Sequence, residues 1–100
     1  MIVVSGHLRL SEADLGSIRD AARDTVLATR AEPGCIAYSF SIDLAEPGLM
    51  HIYEEWESRE ALDAHGRTEH IDAWRKVLLG YEIVERELKL VEIDAFEPFA

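Results

Sequence analysis

The spacing of apolar residues along the 100-residue chain predicts six elements in the order strand, helix, strand, strand, helix, strand. The first segment, MIVVSGHLRL, alternates as a half-buried strand does. Two further alternating segments, CIAYSFSIDL and LMHIYEEWE, flank the turn sequence AEPG, which predicts an antiparallel pair. A last strand is predicted within EIVERELKLVEIDAF. This order is the strongest constraint on the fold, because few architectures accommodate it.

Two segments have the three- and four-residue apolar spacing of amphipathic helices. The first follows Ser11, a favourable N-cap, and ends before the Pro-Gly pair at 33–34. The second helical region follows Ser58, is expected to break or bend at Gly66, and resumes after a further N-cap, Thr68. Its apolar stripe consists of Ile71, Trp74, Leu78 and Tyr81.

These elements predict an α+β protein with the ferredoxin-like βαββαβ order, as one domain over residues 1–100. Both helices should cover one face of an antiparallel sheet. In the second strand, alternation directs Ile36 and Tyr38 towards the helices, and Cys35 and Ala37 away from them. The outward face is then too apolar to be fully solvated. A homodimer formed through this sheet face would cover it and give a dimeric α/β barrel.

Charge and cysteine content limit the classes of partner. Twenty acidic residues oppose ten basic ones, a formal net charge of −10, which argues against binding to nucleic acid or to an anionic membrane surface. No apolar run approaches the roughly 20 residues that span a bilayer, and the N-terminal segment is unlike a signal peptide. With Cys35 as the only cysteine, we expect no intramolecular disulfide and a reducing, cytoplasmic setting.

Three segments, EPGCIAYSF, YEEWESREALDAH and TEH, resemble the antibiotic biosynthesis monooxygenase family, which includes small quinol monooxygenases. The family pattern of Glu-Pro-Gly-Cys, Glu-x-Trp and two later histidines is matched by 32–35, Glu54 with Trp56, and His65 with His70. The resemblance implies a dimeric α/β barrel with a pocket between the sheet and the helices of each subunit. It also implies oxidation of phenolic or quinol-like aromatics by molecular oxygen, without flavin, haem or metal.

The candidate site residues combine this resemblance with side-chain chemistry. We assign acid–base catalysis to His65 and His70, because an unperturbed histidine titrates near neutral pH. The predicted substrate-binding residues are Tyr38, Glu54, Trp56, Trp74 and Arg75. We predict no metal, because five residues on an unbroken helix correspond to about 500° of rotation, a poor arrangement for two ligands. With a break at Gly66, the relative geometry of the two histidines is open. Alternatively, one histidine ties a helix end to a strand carboxylate such as Glu54, and the tryptophans belong to the core.

The sequence thus predicts a cofactor-independent monooxygenase acting on a small hydroxylated aromatic or quinol. One alternative is a non-catalytic barrel that binds a small aromatic or serves in a stress response. A second is a haem-binding or haem-degrading relative. The resemblance argues against haem cleavage, because His65 and Arg75 stand where that branch has a tryptophan and an axial histidine. Haem binding stays open, since His70 lies nearby. A third is isomerisation or decarboxylation of a small lactone.

Overall fold

The computed structural model describes all 100 residues and contains four strands and three helices in the order β-α-β-β-α-α-β. The elements are β1 (Ile2–Arg9), α1 (Glu12–Arg30), β2 (Cys35–Ile42), β3 (Leu49–Trp56), α2 (Arg59–His65), α3 (Glu69–Leu79) and β4 (Glu85–Glu92). The predicted ferredoxin-like α+β fold is confirmed, with the second helical region divided into two helices. No helix has the length and apolar character needed to span a membrane.

The four strands form an antiparallel sheet in the order β2-β3-β1-β4. Its register places one row of side chains across the inner face: Tyr38 lies opposite Glu54, Glu54 opposite Val4, and Val4 opposite Leu90. The sheet is open, with β2 and β4 as its edges. A closed barrel would therefore require a second copy of the chain.

The predicted N-caps explain where the helices begin. The Ser11 hydroxyl oxygen accepts a hydrogen bond from the Asp14 backbone N–H (3.1 Å), and the Thr68 hydroxyl oxygen accepts one from the N–H of Ile71 (3.4 Å). The expected break is also present, since α2 ends at His65 with Gly66 as its C-cap. A new cap at Thr68 then starts α3 in a different direction.

Two adjoining clusters form the core between the helices and the sheet. The larger cluster joins the inward side chains of β1 and β3 to α1 and α3, and includes Leu8, Ile18 and Trp74. The smaller cluster surrounds Trp56, which is completely buried against Tyr38 and the end of α1. Burial of the inward row of β1 and the apolar stripe of α3 stabilises the fold chiefly through the hydrophobic effect.

The predicted orientation at the start of β2 is wrong. A β-bulge between Cys35 and Ala37 places Cys35 opposite Trp56, so its side chain packs on the inner core. Ile36 is instead 50 % exposed. The extra residue of a bulge shifts the two-residue alternation by one position, which the sequence pattern does not reveal.

Strand β4 is exposed along its whole length. On the face that the helices cover elsewhere, Leu88 and Leu90 are 53 % and 44 % exposed, and on the opposite face Val91 is 52 % exposed. The strand begins at Glu85, later than the predicted segment. Its apolar side chains extend the inner surface of the sheet beyond the helices.

Candidate active site

A carboxylate and two histidines meet where three segments of the chain converge. Glu32 lies in the loop after α1, His65 is the last residue of α2, and His70 is in the first turn of α3. The Glu32 Oε2 atom is 2.7 Å from His65 Nδ1 and 2.7 Å from His70 Nε2. His65 is buried and His70 is partly exposed. The helix break at Gly66 allows both rings to reach one oxygen atom.

This arrangement determines the tautomers of the two neutral rings. An ionised carboxylate can only accept hydrogen bonds, so each ring must donate the proton on the nitrogen that faces Glu32. His65 therefore carries its proton on Nδ1 and leaves a free lone pair on Nε2. A histidine oriented by a carboxylate in this way can act as a general base.

A cavity of about 410 Å³ lies between the inner face of the sheet and the helices α2 and α3. His65 belongs to its wall, whereas Glu32 and His70 do not. The other polar and aromatic lining includes Tyr38, Phe40, Glu54, Trp74 and Arg75. Two other depressions, of about 540 and 580 Å³, have no histidine in their walls. Of these three, the cavity of about 410 Å³ is the one that combines an apolar volume with a histidine.

Aromatic rings surround the His65 imidazole. The Trp56 ring centroid lies 4.7 Å from that of His65, and the Tyr38 centroid lies 5.3 Å from it. On the cavity wall, the rings of Phe40 and Trp74 contact each other, with their centroids 5.5 Å apart. These contacts fix the orientation of His65 and provide flat walls against which an aromatic ligand could stack.

Two further ionisable groups on the wall have raised pKa values. Burial raises the pKa of the Glu54 carboxyl, although its Oε1 accepts a hydrogen bond from Trp56 Nε1 (2.9 Å) and the nearby His65 opposes the shift. Burial, reinforced by the charges of Glu54 and Glu32, also raises the pKa of the Tyr38 hydroxyl well above its usual range. Tyr38 therefore remains protonated and able to donate a hydrogen bond.

A family model for antibiotic biosynthesis monooxygenases matches residues 1–77, which include every element of this site except β4. The chain belongs to this family. Its structure is similar to that of a candidate antibiotic biosynthesis monooxygenase from Deinococcus radiodurans, with a TM-score of 0.91 and 24 % identity over 100 % of this chain and 99 % of the other.

Two further comparisons place the chain among similar proteins. A crystal structure of an antibiotic biosynthesis monooxygenase has a TM-score of 0.81 and 29 % identity, covering 97 % of this chain and 100 % of that one. An uncharacterised Synechocystis protein, sll1783, is 34 % identical over 67 residues. That alignment covers 67 % of this chain but only 46 % of the relative, so the chain spans about half of that protein.

Five of the seven predicted site residues line this cavity: Tyr38, Glu54, His65, Trp74 and Arg75. Trp56 is completely buried and packs against His65, and His70 contacts Glu32 but is not part of the cavity wall. The Arg75 Nη1 atom donates to the Gly66 carbonyl oxygen (2.9 Å), which ties α3 to the helix break. The catalytic and binding roles of the seven residues stay predictions.

Sequence reasoning missed the role of Glu32 in this monooxygenase-family fold. The proposed carboxylate partner of a histidine was Glu54, but both histidines contact Glu32. Glu32 belongs to the Glu-Pro-Gly turn that was used only to identify the family. Its partners lie 33 and 38 residues further along the chain, and no local pattern indicates that contact.

Proposed function

We propose that the protein is a cofactor-independent monooxygenase that oxidises a small hydroxylated aromatic of the quinol type with molecular oxygen. Membership of the antibiotic biosynthesis monooxygenases supports the reaction class. The observation that supports the substrate class is the Glu32–His65 pair at the wall of an aromatic-lined cavity. This pair offers a base for a phenolic proton beside surfaces that suit a flat ring.

Proton transfer would begin the reaction. The free Nε2 lone pair of His65 accepts the phenolic proton, and the Glu32 carboxylate stabilises the imidazolium that forms. Phe40 and Trp74 offer one aromatic surface to the substrate ring, while the protonated Tyr38 hydroxyl donates to a substrate oxygen. The resulting phenolate is a much better electron donor than the neutral phenol.

Oxygen chemistry follows from that electron-rich anion. Ground-state oxygen is a triplet, so the phenolate transfers one electron to it, and the two radicals then combine at a ring carbon. Loss of water leaves a hydroxyquinone: one oxygen atom enters the ring and the other leaves as water. The quinol supplies all four electrons. The imidazolium of His65 lies beside the reduced oxygen and stabilises its negative charge.

We further propose that two copies associate through the sheet. The open sheet and Val91, which is 52 % exposed on the face opposite the helices, support this arrangement, because a second copy would cover surface that the helices leave bare. Light scattering should give twice the chain mass of 11.3 kDa. A mass equal to one chain at working concentration would contradict the dimer.

Oxygen uptake and quinone absorbance with a panel of quinols test the oxygenase proposal. Turnover should be lost in His65→Ala and retained in His51→Asn, which changes an exposed histidine that pairs with Asp43 (2.8 Å). Equal turnover in wild type and His65→Ala would refute the assigned base. Saturable quinol binding without oxygen uptake would favour the binding module, and a Soret band on haem titration would favour the haem-binding alternative.

A further inference from the structure

We propose that Glu32, His65 and His70 form a binding site for one divalent first-row transition-metal ion. Their three candidate ligand atoms, one carboxylate oxygen and two imidazole nitrogens, all lie within 4.8 Å of one another. Two histidines and one carboxylate are a ligand set used by zinc and non-haem iron sites. The inference corrects the reasoning from an unbroken helix, since the break at Gly66 redirects the second ring.

Small side-chain movements would convert the hydrogen-bonded cluster into a coordination site. Ligand atoms bound at about 2.0–2.2 Å around a tetrahedral ion are separated by roughly 3.4 Å. The two nitrogens are now 2.7 Å from the same Glu32 oxygen, so that oxygen would have to withdraw by less than an ångström. The nitrogens themselves are at most 4.8 Å apart and would have to approach each other by at most about 1.4 Å. Three protein ligands would leave at least one coordination position for water or another small ligand.

Charge and access also favour a cation at this position. Glu32 supplies a carboxylate, the two imidazoles can bind as neutral ligands, and the chain has a net charge of −10. The Glu32 and His65 side chains are only 10 % and 8 % exposed, which limits competition from water. The His70 side chain is 27 % exposed and provides a route from solvent.

Metal binding would oppose the base function of His65. Coordination through Nδ1 of His65 requires that nitrogen to give up its proton, which moves to Nε2 in the neutral ring. The Nε2 lone pair that the proposed base requires is then unavailable. The metal site stands on the geometry of the cluster alone, so a failure to detect oxygenase activity would leave it unaffected.

Cobalt titration of chelator-treated wild-type protein tests the site without an activity assay. We expect one Co²⁺ per chain with visible d–d absorption, displaced by Zn²⁺. Glu32→Gln and His70→Ala should each weaken binding by about 100-fold or more, since each removes a ligand. His51→Asn should bind as wild type does, because the exposed His51–Asp43 pair is outside the cluster.

A measurement on the wild type avoids dependence on variant folding. Paramagnetic broadening by Co²⁺ should remove the imidazole NMR signals of His65 and His70 first, and those of His7 and His51 last. Equal affinity in wild type, Glu32→Gln and His70→Ala would overturn the site. Loss of binding only in His51→Asn, or preferential broadening of His51, would overturn it as well.

Discussion

Replacing Glu32 with glutamine removes one charge while keeping an oxygen acceptor for both histidines. In the wild type, a single oxygen of Glu32 accepts two hydrogen bonds of 2.7 Å. A charge-assisted hydrogen bond contributes about 1.5–3 kcal/mol and a neutral one about 0.5–1.5 kcal/mol. Two such bonds weakened by about 1 kcal/mol each should lower the free energy of unfolding by roughly 2 kcal/mol.

The catalytic effect of Glu32→Gln should exceed the effect on stability. When His65 accepts a proton, its positive charge lies near the Glu32 carboxylate; at about 4 Å and an effective dielectric constant near 20, the attraction is about 4 kcal/mol. Its loss corresponds to a fall in kcat of roughly 100- to 1,000-fold. KM should change little, because Glu32 is not part of the cavity wall.

Urea unfolding followed by tryptophan fluorescence measures the first effect, and quinol turnover measures the second. Glu32→Leu removes the acceptor as well as the charge and should reduce kcat further. Glu57→Gln, at an exposed position, is the matched control and should retain wild-type turnover. If wild type is active and both Glu32 variants keep kcat within about threefold of it, Glu32 does not assist His65.

Gly6→Ala should destabilise the fold by about 3 kcal/mol, because its Cβ would lie 1.9 Å from the Glu87 carbonyl oxygen; Gly16→Ala, with no atom within 4 Å, should instead stabilise it by about 0.5–1 kcal/mol in urea unfolding. If the free energy of unfolding of Gly6→Ala were equal to or above that of Gly16→Ala, the result would contradict the β1–β4 register. Burial raises the pKa of Glu54 in the folded state, so the protonated carboxyl contributes to stability. This contribution is fully present below the unfolded pKa of about 4.3 and is lost as the pH rises through the native pKa. The stability of wild type relative to Glu54→Gln should therefore fall as pH rises, and a constant difference from pH 4 to 7 would refute this sign. Trp74→Ala should cost about 3–5 kcal/mol and raise KM more than it lowers kcat, since it enlarges the cavity; a fall in kcat alone would exclude Trp74 from substrate binding.

Local signals predicted most of the fold because they act over a few residues. Ser11 and Thr68 cap helices through their own side chains, and the alternation of β1 and β3 follows from the two-residue repeat of a strand. The bulge after Cys35 was missed because an inserted residue leaves no mark in an apolar pattern. The same pattern could not show that β4 would lack a covering helix.

The candidate site was less predictable because it depends on contacts between distant segments. The family resemblance and the clustering of aromatic residues identified His65, Tyr38 and Trp74, which line one cavity. The interaction with Glu32 depends on how the loop after α1 and the break at Gly66 meet in space. Spacing along an ideal helix therefore does not describe the two histidines, and the predicted break at Gly66 left their geometry open.

The tautomer of the neutral His65 ring is the most direct test of the account, because the proposed base requires a free Nε2. Two-dimensional ¹H–¹⁵N NMR of the imidazole rings distinguishes a protonated nitrogen from one with a lone pair. We predict Nδ1–H for His65 and Nε2–H for His70, each donated to Glu32. A neutral His65 ring protonated on Nε2 in the metal-free wild type would contradict the proposed base.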